Sequence, residues 1–296
     1  MAGKRKVEEP RAAEKTCAAG NHVLRIDGPD QKGLIHKITG VIFDNKLNII
    51  SNHEFVDPQS GHFFMRSEFT GEVDENRLIA DLHTALPAQF NIVMTHPGKK
   101  GIIVLATKEH HCLADLLIRN EFNKINATIL AVISNHDVLR HLVEKFKIPF
   151  HLVPSEGKTR EAHEAEIIKI LDQYKPDYLV LAKYMRIFTP AFVEKFKNRI
   201  VNIHHSFLPA FIGVNPYEQA FQRGVKIIGA TSHFVTANLD EGPIIVQEVI
   251  EIDHTFSAEA MRQAGEDIEV LTLAKALKYV LEDRVFINAN KTIIFK

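Results

Sequence analysis

Three uninterrupted apolar runs, Ile102–Ala106, Ile129–Ile133 and Tyr178–Ala182, constrain this chain more than any other feature. Runs of that kind suit strands with no solvent face, as in a parallel sheet covered by helices on both sides. Helical patterns over 110–120, 137–146 and 160–173 separate them. Repeated βα units predict an α/β fold with a doubly wound, mostly parallel sheet. Strand-like stretches follow at Gly229–Thr236 and Pro243–Ile252, and a long helix with a Ser cap spans Ser257–Glu282.

The chain ahead of these runs has a different texture. Residues 1–20 are charged, Ala-rich and aperiodic, which predicts a disordered tail. His22–Ile26 alternates as a strand and leads to a predicted turn at Asp27–Asp30; Gly33–Asn45 puts Leu34, Ile38, Val41 and Ile42 on one helical face. Two strands, Leu47–Val56 and Phe63–Phe69, flank a turn; a short helix carrying Leu78, Ile79, Leu82 and Leu86 and a last strand, Phe90–Met94, complete the order βαββαβ. That order is the ferredoxin-like plan, helices on one face of an antiparallel sheet. His96–Lys100 reads as a linker, so the expected domains are 21–97 and 101–296.

Composition excludes several classes. Lys plus Arg number 36 against 37 Asp plus Glu, so no global basic field exists to hold nucleic acid or an anionic membrane. No apolar run approaches the roughly 20 residues of a membrane span, and no hydrophobic core follows the basic start, so neither a membrane nor a secretory route is expected. Cys17 and Cys112 are the only cysteines, which argues against a disulfide scaffold and fits a reducing cytoplasm. Sixteen histidines are the one excess.

A ligand on such a sheet sits outside the carboxyl ends of the strands, where the densest polar stretch is Arg199–Ala210. Asn202 and His204, two apart, share a strand face, while His205 points away if the strand continues. An amide donor beside an imidazole suits charge developing on a carbonyl oxygen; the same residues also suit an ordinary capped strand end. His233 interrupts the next strand pattern, and Asp240 precedes the turn Gly242-Pro243. A carboxylate near an imidazole can relay a proton or activate water, and a turn Asp can equally bond its own backbone.

Asn202-Ile-His204 followed by Ser-Phe-Leu-Pro209, with His233-Phe-Val and Leu239-Asp-Glu-Gly-Pro243 downstream, resembles the folate-dependent formyltransferase fold over about residues 101–290. Gly28-Pro-Asp-Gln-Lys-Gly-Leu34 resembles an ACT domain, a regulatory or oligomerising module. The pairing, with His205 where the transferases carry Pro, is similar to the formyltetrahydrofolate deformylase family, hydrolases of 10-formyltetrahydrofolate. The resemblance implies that Asn202 bonds the formyl oxygen and His204 stabilises the oxyanion. Asp240 would then hold and deprotonate water or set the charge state of His204. It also implies a folate site along Met185, Arg186 and Ile187 and along Val235, Thr236 and Ala237, with His205 and His233 accessory, no cofactor, and a homo-oligomer formed through the ACT-like domain. Residues alone would put Met185 and Ile187 in the core. Two positions depart from the deformylase pattern: Val214-Asn215 stands for Ala-Lys, and Glu266 for a basic residue. Both bear on contacts to the folate's glutamate tail.

Three other functions compete with hydrolysis. Transfer to an amine such as glycinamide ribonucleotide needs an anion cradle after the first strand, but Val104–Leu113 contains no glycine and carries Glu109; Lys108 leaves one cationic contact. A metallohydrolase built on His204, His205, His233 and Asp240 lacks a recognisable zinc spacing, and no metal is expected. A non-catalytic folate and amino-acid sensor would use Asp30, Gly33 and Leu34 at the first helix start as effector contacts; a purely oligomeric role for that turn is the alternative.

Overall fold

The computed structural model describes residues 21–209 and 216–296. The predicted disordered tail and the Val214-Asn215 departure lie outside the described residues. The chain divides into two compact units, 1–98 and 99–296.

The first unit contains β1 (His22–Pro29), α1 (Leu34–Asp44), β2 (Asn48–Asp57), β3 (His62–Thr70), α2 (Glu75–Ala85) and β4 (Asn91–Thr95). Its antiparallel sheet has the order β2-β3-β1-β4, the ferredoxin-like arrangement. Leu24 and Ile26 of β1, Leu34, Ile38 and Ile42 of α1, and Leu78 and Leu82 of α2 form one core with Phe63, Met65 and Phe69. Each such side chain contributes roughly 1.5–3 kcal/mol through burial. Asp74 starts α2 by accepting from the Arg77 amide at 3.1 Å.

The predicted turn at Asp27–Asp30 is strand through Pro29, with Asp27, Gly28 and Pro29 paired to Phe64, Phe63 and His62. Strand geometry survives at Gly28 because a Cβ there would lie 2.6 Å from the Phe90 ring, so only glycine lets that ring cross the backbone. The change of direction falls later, at Gly33 (φ 83°), just before α1.

The second unit contains β5 (Lys100–Ala106), α3 (His111–Glu121), β6 (Ala127–Ser134), α4 (Arg140–Lys145), β7 (Phe150–Leu152) and α5 (Arg160–Tyr174). Next come β8 (Tyr178–Ala182), α6 (Pro190–Lys195), β9 (Ile200–His204), α7 (Pro216–Arg223), β10 (Ile227–Phe234) and β11 (Ile244–Glu251). The unit ends with α8 (Ala258–Leu281) and a hairpin, β12 (Val285–Asn288) and β13 (Lys291–Ile294). The seven-stranded sheet has the order β11-β10-β9-β8-β5-β6-β7. Strands β5 to β9 pair in parallel, and β10 runs antiparallel to both β9 and β11.

The apolar runs are buried on both faces for the expected reason. Ile102, Val104, Val180 and Val201 pack with Leu116 and Leu117 of α3 and Leu273 and Leu277 of α8. Ile103, Leu105, Leu179 and Leu181 pack on the opposite face with Ile167 and Leu171 of α5 and Phe192 of α6. Because β9, β8 and β5 are neighbours, their carboxyl ends lie side by side, and the site is built there.

Candidate active site

Asn202 and His204 stand on the last turns of β9's pleat, directly opposite His233 and Thr231 of β10. A bulge between Ser232 and His233 shifts the β10–β11 register at this point, the usual device for re-aiming a side chain. His233 is buried, and its Nδ1 lies 2.9 Å from the Phe234 carbonyl oxygen. That nitrogen must therefore donate, which leaves Nε2 as an acceptor. The Asn202 amide nitrogen lies 3.2 Å from this Nε2, so one Asn202 N–H is committed to His233 and the second remains for a ligand. Burial lowers the His233 pKa more than the Phe234 carbonyl and Asp240 raise it, and the ring stays neutral.

Asp240 occupies the left-handed region at φ 57°, a conformation that Asp tolerates better than most residues. Its Oδ1 lies 3.5 Å from His204 Nδ1 and 3.8 Å from His233 Nε2. No bond of this carboxylate to its own turn appears among the described contacts. Burial pushes the Asp240 carboxyl up, but the His204 hydrogen bond and charge, followed by His233, outweigh it and hold it below the ordinary range. His204 then presents a buried Nε2 without a hydrogen-bond partner among the described residues. Ser206 Oγ and Tyr184 Oη are buried and unpartnered in the same way, on the segments that follow β9 and β8.

The segment after β9 is tied down by β10 and β11. Thr231 Oγ1 donates to the Ser206 carbonyl (2.9 Å) and accepts from the Leu208 amide (3.1 Å), while Gln247 donates to the Leu208 carbonyl (2.9 Å). The strand ends at His204, so the expectation that His205 points to the opposite face does not hold. The two imidazoles instead stack, with centroids 4.8 Å apart and planes 18° from parallel.

Among the other expected site residues, Met185 and Ile187 are 60% and 48% exposed, which overturns core packing as their role. Leu239, 58% exposed, adds a third apolar side chain on the 235–240 loop. Arg186 and Ala237 are exposed, and Val235 and Thr236 half-buried. In the first unit, Leu34 is in the core and Asp30 is exposed, its amide bonded to the Gly61 carbonyl.

A second polar group lies at the same strand ends and was not expected from sequence. Lys183 follows β8 directly and His111 opens α3 after β5; both meet Glu269, a fully buried residue of α8. Glu269 accepts from Tyr217 Oη at 2.8 Å and pairs with His111 Nε2 at 2.7 Å and Lys183 Nζ at 3.1 Å. Lys183 carried the available signal, a charge placed where an apolar run stops. Glu269 gave none, because a single acidic residue in a long helix ordinarily faces solvent.

Metal-like groupings among the described residues are His111–Cys112–Glu269 and Glu109–His111–Glu266. Neither includes His204, His205, His233 or Asp240, and Lys183 already supplies the positive charge at Glu269.

Comparison with known proteins is consistent across the chain. Residues 100–277 match the formyl transferase family and residues 22–86 the ACT domain. Formyltetrahydrofolate deformylase from Escherichia coli K12 is 54% identical over 272 residues, 92% of this chain and 97% of that protein. The Bacillus subtilis protein of that name is 43% identical over 278 residues, covering 92% and 93%. A crystal structure of a formyltetrahydrofolate deformylase from Pseudomonas syringae superposes with a TM-score of 0.91 at 38% identity, over 95% of this chain and 96% of that one. Glycinamide ribonucleotide transformylase 1 from Symbiobacterium toebii superposes over 67% of this chain and 95% of its own, with a TM-score of 0.63 at 31% identity.

Proposed function

This chain belongs to the formyltetrahydrofolate deformylase family, and from that premise we propose that it hydrolyses 10-formyltetrahydrofolate to formate and tetrahydrofolate through Asn202, His204 and Asp240. The observation that carries the residue assignment is the pair of aimed, uncommitted groups at the end of β9. One is the buried His204 Nε2 and the other is the second N–H of an Asn202 held in place by His233.

Formyl oxygen placed between those groups receives a hydrogen bond from Asn202 and, with both imidazole nitrogens carrying protons because Nδ1–H is directed at Asp240, a second from His204 Nε2; both strengthen as the oxygen becomes an oxyanion. Asp240, kept ionised by its histidine neighbours, orders a water against the formyl carbon. As the water oxygen bonds to that carbon, the C=O electron pair moves onto oxygen and Asp240 takes the water proton. Collapse reforms the carbonyl and breaks the C–N10 bond, and the proton passes to N10 of the departing tetrahydrofolate. One water proton reaches N10 by way of Asp240, and the other leaves with formic acid, which ionises to formate in solvent, so water is the only co-reactant the step uses.

Met185, Ile187 and Leu239 supply the exposed apolar wall that a flat pterin requires, with Arg186, Val235, Thr236 and Ala237 completing its surroundings. Formate released in this way would feed one-carbon and purine metabolism. The ACT unit is assigned to regulation and homo-oligomer formation, with Asp30, Gly33 and the backbone at Leu34 as effector contacts. No described helix is long and apolar enough to cross a membrane, and a cytoplasmic location is proposed.

The decisive experiment is incubation with 10-formyltetrahydrofolate as the sole substrate. Formate appearing without an amine supports hydrolysis; formyl loss only when glycinamide ribonucleotide is added would replace hydrolysis with transfer.

A further inference from the structure

Hydrolysis and amine transfer share the same formyl donor, so something in the site must decide which acceptor reaches the carbon. His204 ends β9 between two neighbours. On the β10 side stand His233 and the Asp240 carboxylate. On the β8 side, Leu181 and Asn202 are the last pair of the ladder, and Lys183 follows two residues later, just past the carboxyl end of β8. The two faces of the sheet are divided as well. Tyr184, just before Met185, and Val235, which begins the second proposed folate segment, pack on the α5–α6 face, whereas α8 covers the other face.

Leu181 belongs to the α5–α6 face, and a continued strand would send Lys183 the same way. Its left-handed backbone, φ 60°, breaks that alternation, and the ammonium ends on Glu269 of α8, 3.1–3.2 Å from the two carboxylate oxygens. His111 and Tyr217 bond the same carboxylate. Tyr217 reaches it only because residue 265 is glycine, where a Cβ would lie 2.2 Å from the ring and hydroxyl. Farther out, Glu109 and Glu266 bring carboxylates close to His111 at the start of α3. On its α8 face, the carboxyl end of β8, beside the strand that ends in His204, is therefore filled by an ammonium in an ion-paired cluster, with Glu109, Glu266 and the Arg262 that pairs with Glu266 at its outer edge.

We propose that Lys183, clamped by Glu269, closes the α8-side approach to the formyl carbon to any acceptor larger than water and so determines hydrolysis over transfer. The proposal rests on the deformylase assignment above and adds the residue that sets acceptor choice. An incoming amine would need the volume Lys183 occupies and would meet a like charge whenever protonated.

The test measures how the formyl group partitions. Full-length protein is incubated with 10-formyltetrahydrofolate and increasing glycinamide, and formate and N-formylglycinamide are quantified by mass spectrometry. In transfer, the amine nitrogen bonds to the formyl carbon, C–N10 breaks, and an amine proton passes to N10, giving amide and tetrahydrofolate without formate. Wild type is expected to give formate alone. Lys183→Gly, at a backbone position that favours glycine, is expected to raise the amide-to-formate ratio at least tenfold and in proportion to amine concentration. Lys183→Met, which keeps the volume and removes the charge, should remain a hydrolase. Formyl consumption by Lys183→Gly with no more amide than wild type overturns the proposal, as does equal amide from Lys183→Met. Lys183→Ser carries the same test should the glycine variant lose its fold. Failure of the deformylase assignment shows separately, as wild type releasing no formate without an amine.

Discussion

Glu269→Gln isolates the charge of the buried cluster while keeping its shape. Burial alone would push this carboxyl up, yet the His111 hydrogen bond, the Lys183 ammonium and the Tyr217 hydroxyl bring it down to about 2 from an ordinary 4.5. At about 1.36 kcal/mol per pH unit, the folded unit favours the ionised side chain by roughly 3 kcal/mol. Substitution removes that preference and leaves the Lys183 ammonium buried without its counter-charge, a loss of about 3–5 kcal/mol. For a unit of this size, each kcal/mol moves Tm by about 2–4 °C, so a fall of at least about 6 °C is expected near pH 7. The depressed folded pKa fixes the pH dependence: the stabilisation is complete above pH 4.5 and is lost as pH falls toward 2. Thermal melts of both proteins across that range should therefore converge on the acid side. An unchanged Tm near neutrality, or a gap that does not narrow below pH 4.5, would refute the electrostatic account of the cluster.

Asn202→Ala should lower formate release by about 10²–10³, the worth of one oxyanion donor, with folate binding retained in a direct titration. Asp240→Asn should cost about 10²–10⁴ through loss of the base, and wild-type turnover in either variant would remove the residue from the mechanism. His233→Leu should reduce kcat on the order of tenfold, about 1.4 kcal/mol, with KM little changed, because it frees the Asn202 amide without touching the pterin wall. In wild type, protonating His233 makes Nε2 a donor facing the Asn202 N–H. Burial holds that protonation below pH 6.5, so stability and kcat should both hold above 6.5; stability then falls between 6.5 and the lowered value, while kcat falls through the lowered value itself. Gly265→Ala gains about 1 kcal/mol in helix propensity yet should lower Tm through its clash with Tyr217, and adding Tyr217→Ala should recover much of the loss.

The architecture was legible because its cause is local. Runs such as Tyr178–Ala182 carry the burial of a whole strand in five adjacent residues, and α1 repeats its core contacts at Leu34, Ile38 and Ile42. Asn202 and His204 stood out by their two-residue spacing at a strand end, whereas Asp240 stood in a turn and took its expected role from the family resemblance. What sequence does not carry is convergence. Lys183, His111, Tyr217 and Glu269 come from four separated segments and meet only when β8, α3, α7 and α8 pack. The stacking of His205 on His204 depended on where β9 stops, which pairing with β10 decides. The strand through Gly28 depended on a ring 62 positions away at Phe90.

The antiparallel pairing of β10 with β9 has a consequence for how such a site tolerates change in length. Asn202 meets His233 because the two residues are directly opposed across that pair, and one step of slippage would bring Ser232 or Phe234 opposite Asn202 and reverse the faces presented. Insertions within 227–234 should thus be lethal to activity even in a protein that still folds. The outward-reaching arm over 236–239 has no such obligation to the ladder, provided that Asp240 returns to its place. Lineages descended from this scaffold would then diversify by lengthening or recomposing that arm, and the strand register would be inherited unchanged.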